Sequence, residues 1–192
     1  MKKIIFASNN HHKADEIRAA LGERFAIVTL KEAGINIDIP EPHDTLEANA
    51  SEKSGTIYTL TGEDCFSEDT GLEVAALDGA PGVKSARYAG EKAAFEDNID
   101  KLLLNLEEKD NREAQFRTVI SLVLDGNEYL FEGICPGKIL TGRKGKEGFG
   151  YDPVFVPEGD DRSFAEMNME EKNRYSHRKK ALDKMIQFLK TR

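Results

Sequence analysis

The sequence predicts an α/β fold with a central mixed β-sheet flanked by helices, and two observations carry that prediction. Residues 3–30 read as strand, helix and strand, which is the pattern of a parallel β-α-β unit. Further along, two β-rich runs flank Asp125-Gly126, a dipeptide typical of the tight turn of a hairpin. Parallel and antiparallel strand pairs in one chain favour a mixed sheet over a purely parallel one.

Length and composition narrow the class of protein. The 192 residues suit a single medium-sized domain, residues 1–192, with a buried core of its own. The net charge of −8 argues against non-specific binding to nucleic acid or to an anionic membrane. The chain has neither an apolar run long enough to span a membrane nor a signal-like N-terminus, and Cys65 and Cys135 form no CxxC pair. We therefore expect a soluble, cytoplasmic protein.

The first half of the chain is predicted to open with strand Lys3–Ala7, a helix over residues 10–21 and strand Phe25–Leu30. Asn9 or Asn10 is expected to cap the helix, which Gly22 would end. The helix is expected to bury Ile17, Ala20 and Leu21.

An acidic, proline-rich loop follows, and Asp44 with Glu47 resembles a capping box for a helix over residues 45–58. The segment CFSEDTGLEVAAL reads as a strand, an acidic turn and a second strand.

In the second half, one helix face is apolar in FEDNIDKLLLNL, and a glycine-rich loop precedes a C-terminal amphipathic helix. The first face carries Phe95, Ile99, Leu102, Leu103 and Leu106, and the C-terminal helix is expected to bury Leu182, Met185, Ile186 and Leu189.

Lys13 stands out because it falls in the first turn of the first helix, where the helix dipole disfavours a cation. It is either a solvated surface lysine or part of an anion site, since helix amides and a lysine can share one phosphate. The same arrangement recurs at a second helix start, where Ser176 is a good N-cap and His177, Arg178 and Lys179 occupy the following turn. Neither a GxGxxG nor a GxxxxGK[ST] motif is present, so a Rossmann-type or P-loop phosphate site is not expected.

Glu68 and Asp69 are adjacent carboxylates between two apolar runs, where repulsion and desolvation are costly unless a cation joins them. One interpretation is a hydrogen-bonded turn over Asp69-Thr70-Gly71. The other is a site for Mg²⁺, held by one or two carboxylates and substrate phosphates, with Glu41 as a further ligand. In GFGYDPVF, Phe149 and Tyr151 offer flat faces for a base, although a hydrophobic turn that leads into a strand is the better explanation of this segment taken alone. Phosphates, a metal and a flat ring together indicate a nucleoside triphosphate.

The motifs SNNHHK, IPE, SEDTGL, GAPGVKSARYAG, GFGYDP and AEMNMEEKNRYSHR occur in an order that closely resembles the Ham1-like, inosine triphosphate pyrophosphatase family, over residues 3–189. The resemblance implies an elongated α/β fold with two lobes around a cleft, usually a homodimer. It also implies Mg²⁺-dependent hydrolysis of ITP, dITP and XTP to the monophosphate and pyrophosphate, which cleanses the nucleotide pool.

Carried over by position, the resemblance implies Asp69 as the catalytic base, with Glu41, Asp69 and Glu68 at the metal. Other residues are implied to bind substrate: Ser8, Asn9, Asn10, His11, His12, Lys13, Lys53, Thr70, Phe149, Gly150, Tyr151, Asp152, Lys172, His177 and Arg178. Arg178, which is only a donor, would satisfy O6 of hypoxanthine and disfavour adenine. The chain departs from the family at Asn9, often glycine, and at Ala48, often an acid; Glu47 is one position off and is excluded.

Two alternatives stay open at this point. One is an enzyme of the same fold that acts on other nucleotides, such as a Maf-like pyrophosphatase for modified pyrimidines. The other is a nucleotide- or phosphate-binding module without catalysis.

Overall fold

The computed structural model describes residues 2–21 and 25–191 of the chain. Within these residues, seven strands and five α-helices follow one another, with short 3-10 turns between some of them. In chain order they are β1 (Lys2–Phe6), α1 (His11–Leu21), β2 (Phe25–Thr29), α2 (Leu46–Thr61), β3 (Cys65–Val74), β4 (Pro81–Gly82), α3 (Phe95–Asn105), β5 (Glu113–Leu124), β6 (Asn127–Ile139), β7 (Phe155–Pro157), α4 (Met169–Asn173) and α5 (His177–Leu189). Within the described residues, none of the helices is both long and apolar enough to span a bilayer.

The sheet is mixed, as predicted. Its strand order is β2-β1-β3-β5-β6-β7, and β4 pairs with β3 off this path. β1 runs parallel to both β2 and β3, whereas β4 is antiparallel to β3 and β7 is antiparallel to β6. The predicted hairpin joins β5 to β6 through Asp125 and Gly126, whose φ angles of 50° and 79° are left-handed, as a primed turn requires.

The described chain falls into two compact units, and three long strands contribute residues to both. The first unit comprises described residues within 1–69, 118–133 and 178–192, and the second comprises residues 70–117 and 134–177.

The first unit buries both faces of β1. Ile4 and Phe6 join a cluster with Ile17 of α1 and Leu182 of α5, while Ile5 and Ala7 join another with Ile57 of α2. Successive strand residues point to opposite faces, so helices cover the sheet on both sides here. The predicted apolar face of α5 is confirmed at three buried positions and packs at a fourth: Leu182, Met185, Ile186 and the partly buried Leu189.

The second unit has its own core, in which α3 packs against Phe116, Phe155 and Phe164. Ile99, Leu102 and Leu106 are buried as predicted. Phe95 was predicted on the same face, but it starts the helix and is 40% exposed. Leu103 is only partly buried.

Three local predictions need correction, and one cannot be compared. Thr45, not Asp44, caps α2, because Thr45 Oγ1 accepts the amide of Ala48 at 3.2 Å. The helix also runs three residues further than predicted, to Thr61, where left-handed Gly62 ends it. The expected stop of α1 at Gly22 lies outside the described residues.

The third correction concerns the acidic turn that was expected at Glu68 and Asp69. These residues lie inside β3, one continuous strand of 10 residues. A turn would have carried both carboxylates to solvent. The strand instead keeps them buried, because cations from three helices reach them, as described below.

Candidate active site

The start of α1 is organised by three short polar side chains. Asn10 Oδ1 accepts the amide of Lys13 at 3.1 Å, so Asn10 is the N-cap. Ser8 Oγ accepts the amide of Asn10 at 3.1 Å. Asn9, at the position where the family often has glycine, uses its Oδ1 to accept the amide of Lys31 at 2.9 Å. The capped turn presents the electropositive end of α1. His11 and His12 lie in this first turn, with ring centres 4.1 Å apart and ring planes tilted by 36°.

Lys13 is held by a buried acid. Its Nζ lies 3.0 Å from Glu68 Oε1. Arg178, from the first turn of α5, donates from Nε to Glu68 Oε2 at 2.7 Å and from Nη2 to Glu68 Oε1 at 3.0 Å. The remaining guanidinium nitrogen of Arg178 donates to Glu16 of α1. Two acids and two cations therefore form one network, and Arg178 and Glu68 are each only 2% exposed.

The charges in this network keep Glu68 ionised. Burial raises the pKa of Glu68, but the guanidinium of Arg178 and the ammonium of Lys13 outweigh burial and hold that pKa well below its usual range. Glu68, expected as a metal ligand, thus has both carboxylate oxygens engaged by protein cations.

Asp69 has different partners, because it points to the α2 side of the strand. Lys53 of α2 donates to Asp69 Oδ1 at 3.3 Å, to the Glu68 carbonyl at 2.8 Å and to Glu41 Oε1 at 2.5 Å. Burial lowers the pKa of Lys53, but the carboxylates of Asp69 and Glu41 outweigh it and raise that pKa. One buried ammonium therefore joins Glu41 and Asp69, two of the three carboxylates that were expected at the metal.

The two carboxylate oxygens of Asp69 have different surroundings. Asp69 is 5% exposed, and its Oδ2 has no hydrogen-bond partner among the residues that the structure describes. Burial, together with the nearby carboxylate of Glu41, raises the pKa of Asp69 more than Lys53 and Lys13 lower it. A buried carboxylate oxygen without a donor is costly unless a cation or a polar ligand reaches it.

A hard cation fits this donor set, provided that a ligand completes it. Within the described chain, no group of three or more His, Cys, Asp or Glu side chains could hold a metal by itself. Mg²⁺ is commonly held by only one or two carboxylates together with substrate phosphates. Glu41 and Asp69 are the two carboxylates in this group that could take such a role.

Glu41 lies in an irregular loop, and a buried asparagine anchors that loop to α2. Asn49 is fully buried, donates from Nδ2 to the His43 carbonyl at 3.0 Å and accepts the His43 amide at 2.9 Å. Lys53, one helical turn after Asn49, contacts the same loop through Glu41. The loop is thus held at two points.

The second unit contains the other group of expected site residues. We call residues 148–152 the aromatic loop. Asp152 Oδ2 accepts the amide of Phe149 at 2.9 Å and the Nζ of Lys172 at 2.7 Å. That ammonium lies 5.3 Å from the centre of the Phe149 ring, within cation–π distance. The half-buried Phe149 ring therefore lies beside the ion pair of Asp152 and Lys172.

The other expected residues of this unit differ in what they offer. Tyr151 is 4% exposed and its hydroxyl donates to the Ser85 carbonyl at 2.7 Å, so its ring belongs to the core. His177 stacks on Phe116 with ring centres 4.7 Å apart. Gly150 adopts a left-handed φ of 61°, and Thr70 is half-buried in β3.

Sequence reasoning missed Glu16 and the role of Asn49. Glu16 is 4% exposed and precedes Ile17 on the buried side of α1, so an acid inside an apolar face was the available signal. Its partner Arg178 is 162 residues away in sequence, and nothing local connects the two.

Comparison with known proteins places this geometry in context. The model of the Ham1 family matches residues 4–188. The dITP/XTP pyrophosphatase of Flavobacterium johnsoniae is 49% identical over 187 residues, which is 97% of this chain and 97% of the relative. The enzyme of the same name from Porphyromonas gingivalis is 50% identical over 190 residues and covers 98% of each chain.

Solved structures are similar along the whole chain as well. The Ham1 protein of Staphylococcus aureus has a TM-score of 0.89 and 37% identity, with 99% of both chains covered. A HAM1 protein from Coxiella burnetii has a TM-score of 0.91 and 35% identity, with 100% of both chains covered.

Proposed function

The chain belongs to the Ham1 family, and from this membership we propose that it hydrolyses noncanonical purine nucleoside triphosphates to the monophosphate and pyrophosphate. The proposed substrates are ITP, dITP and XTP. The relatives named dITP/XTP pyrophosphatase cover nearly the full length of this chain, so the proposal applies to the whole of it. The reaction would remove these nucleotides from the cellular pool.

One observation in the structure carries the proposal: the buried Oδ2 of Asp69 has no donor within the described residues, although its other oxygen is bonded to Lys53. A structural aspartate in a core normally has both oxygens satisfied. An unsatisfied oxygen beside a lysine and a second carboxylate suits a group that holds a reacting water or a cation.

The phosphates are assigned to the start of α1. Lys13 and the helix N-terminus supply fixed positive potential where negative charge grows as pyrophosphate leaves. Ser8, Asn9, Asn10, His11 and His12 form the capped turn that presents this potential. Lys53 is a further cation for the phosphates once a metal neutralises Glu41 and Asp69.

Mg²⁺ is the proposed cofactor, with Glu41 and Asp69 as its protein ligands. When bound, the ion would neutralise charge on the phosphates. Glu68 is left out of this ligand set, because Arg178 and Lys13 engage both of its oxygens.

Asp69 is the proposed base. Its Oδ2 can accept a hydrogen bond from the attacking water and so orient it towards the α-phosphorus, and it can take the proton as the bond forms. Burial raises the pKa of Asp69 in the metal-free protein, but a bound Mg²⁺ would lower it again, so the main role we assign to Asp69 is orientation of the water.

The base of the nucleotide is assigned to the aromatic loop with Lys172 and His177. Phe149 offers a flat face, and stacking of a base on an aromatic ring contributes about 1–3 kcal/mol. Arg178 was expected to bind O6, but it holds Glu68 and Glu16 here, so that contact would require it to leave both carboxylates. We therefore assign Arg178 to the support of Glu68 and Lys13.

Pyrophosphate release from ITP, XTP and ATP with Mg²⁺ tests the proposal directly. We expect turnover of ITP and XTP, weak turnover of ATP, and loss of all activity in EDTA that Mg²⁺ restores. Hydrolysis of modified pyrimidine triphosphates in preference to ITP would favour the Maf-like alternative. Binding of ITP without pyrophosphate release would favour a non-catalytic module.

Asp69→Asn tests the assignment of the base, because it keeps the shape of the side chain and removes its charge. We expect kcat for ITP to fall at least ~100-fold, the lower range for loss of a general base. The free energy of unfolding, measured in urea, shows whether the variant is folded. A folded variant with near-normal kcat would assign the base to another residue.

We also propose that the protein is a cytoplasmic homodimer, as the resemblance implies. Light scattering after gel filtration should give twice the mass of the chain. A mass equal to one chain at micromolar concentration would contradict the dimer.

A further inference from the structure

A short segment of the second unit, residues 82–85, is bonded to two parts of that unit. Ser85 Oγ accepts the amide of Leu72 in β3 at 2.8 Å and donates to the Gly82 carbonyl at 2.6 Å. The carbonyl of Ser85 accepts the Tyr151 hydroxyl at 2.7 Å. Ser85 thus connects β3 to the aromatic loop by hydrogen bonds on both sides. The segment belongs to GAPGVKSARYAG, which the proposed function leaves without a role.

The backbone of residues 82–85 packs closely against the backbone of β3. A Cβ placed on Gly71 would lie 2.7 Å from the carbonyl oxygen of Gly82, closer than real Cβ contacts allow. The absence of a side chain at Gly71 therefore lets the two backbones approach. The pairing of β4 with β3 also fixes the register of this segment along β3, because Gly82 pairs with Leu72 and Pro81 pairs with Glu73.

The aromatic loop is equally constrained on its other side. A Cβ on Gly148 would lie 2.1 Å from Asp152 Oδ2, the oxygen that accepts Phe149 and Lys172. Asp152 bonds the loop internally and to α4, and Tyr151 bonds it to Ser85. Because Ser85 is bonded to Leu72, the bond from Tyr151 connects the loop to β3.

Tyr151 does not use its hydroxyl on a ligand. The side chain is 4% exposed, and its ring packs in the core of the second unit with Val154 and Phe155. Burial raises the pKa of the phenol well above its usual range, so the hydroxyl stays a donor to the Ser85 carbonyl.

We propose that Tyr151 and Ser85 are positioning residues that hold the aromatic loop on β3 and so set discrimination between purine bases. This inference rests on the proposed function, in which the loop receives the base. Recognition of an edge of the base requires donors and acceptors within a few tenths of an ångström of their partners, and a loosened loop loses that selectivity first. The phosphates, bound elsewhere, are unaffected.

Two variants test the inference, and one serves as control. Tyr151→Phe removes only the hydroxyl, while Ser85→Ala removes both side-chain bonds and keeps the carbonyl. Tyr88→Phe is the matched control, because the Tyr88 hydroxyl accepts a bond from Asn105 at the same 2.7 Å in the same unit. Tyr88 is outside the proposed binding machinery.

The first measurement is amide hydrogen exchange in the aromatic loop without nucleotide. We expect faster exchange at residues 149–152 in Tyr151→Phe and Ser85→Ala, and wild-type exchange there in Tyr88→Phe. Unchanged exchange in both test variants would overturn the inference, whatever substrate the wild type takes.

The second measurement is kcat and KM for ITP and ATP. We expect KM for ITP to rise about fivefold, the scale of one ordinary hydrogen bond, and the preference for ITP over ATP to shrink, with the larger change in KM rather than in kcat. An equal fall of kcat for both nucleotides, with the loop still protected, would overturn the inference and assign Tyr151 to chemistry. Absence of ITP hydrolysis in the wild type would refute the proposed function, and exchange would still decide on the loop.

Discussion

Glu68 and Asp69 are neighbours in sequence with separate surroundings. In a strand, successive side chains point to opposite faces, so Glu68 faces α1 and α5 whereas Asp69 faces α2. Glu68 is bonded to Arg178 and Lys13 and serves as a fixed anion. Asp69 has one carboxylate oxygen without a hydrogen-bond partner among the described residues, which is why we propose it as the base. A single peptide bond thus separates a structural acid from a candidate base.

Arg178→Ala tests the structural role that we assign to Glu68 and its partners. The change leaves Glu68 and Glu16 buried without their guanidinium, and removal of one partner from a buried pair costs about 3–5 kcal/mol. Urea unfolding should show a fall of that size. Arg162→Ala is the control, because Arg162 bonds Asp160 and Glu171 at the surface, where such pairs contribute about 0–1 kcal/mol. Equal effects of the two changes would contradict the buried network.

Lys13→Ala tests the anion site at α1. Arg178 still neutralises Glu68 in this variant, so we expect it to fold. Transition-state binding should weaken by about 2–4 kcal/mol, the scale of one preorganised charge contact, and equally for ITP and ATP because both carry the same phosphates. Values of kcat/KM for the two nucleotides check this. The exposed Lys31→Ala should leave both values unchanged; wild-type kinetics in Lys13→Ala would refute the site.

At the scale of elements, α2 organises the candidate metal group. Asn49 and Lys53 are four residues apart, so they lie on one face of the helix. The first holds the backbone of the acidic loop and the second holds its Glu41 side chain. Because this loop has no strand or helix of its own between Ile35 and Thr45, α2 determines where Glu41 lies.

Asn49→Ala should therefore weaken metal binding rather than catalysis. Loss of such supporting hydrogen bonds typically costs about 10–100-fold in metal affinity. We expect Mn²⁺ to bind more weakly by electron paramagnetic resonance, the half-saturating Mg²⁺ concentration to rise, and kcat to recover at high Mg²⁺.

Asn98→Ala is the matched control for this experiment. Asn98 is equally buried and bonds the backbone of Ala86 and Ala89 in the second unit in the same two-point manner. It should lower stability without changing the affinity for metal. A wild-type Mg²⁺ response in a folded Asn49→Ala protein would show that the asparagine does not position Glu41.

At the scale of the whole molecule, stability and catalysis are expected to respond differently to metal removal. Lys53, Lys13 and Arg178 neutralise the buried acids, so the fold has its own counter-ions. EDTA should abolish turnover of ITP but shift Tm by less than about 2 °C, since a 1 kcal/mol change moves Tm by about 2–4 °C for a domain of this size. Scanning calorimetry measures that shift, and a large drop in Tm would make the metal structural.

The sequence alone determined the features that depend on a short window of residues. The opening β-α-β unit, the Asp125-Gly126 hairpin and the buried faces of α3 and α5 follow from periodicity and turn chemistry within a few residues. The segments that carry the site residues were recognisable for the same reason, because each is a short motif.

Tertiary structure decided which of these residues meet. Glu68 and Arg178 are 110 residues apart, and Glu16 and Arg178 are 162 apart, so no local pattern pairs them. The same pairings explain why β3 is one continuous strand. Two adjacent acids can stay buried there because cations from α1, α2 and α5 contact them. Sequence periodicity shows which face of an element is buried. The energy of a buried charge depends on partners that only the folded chain brings within hydrogen-bond distance.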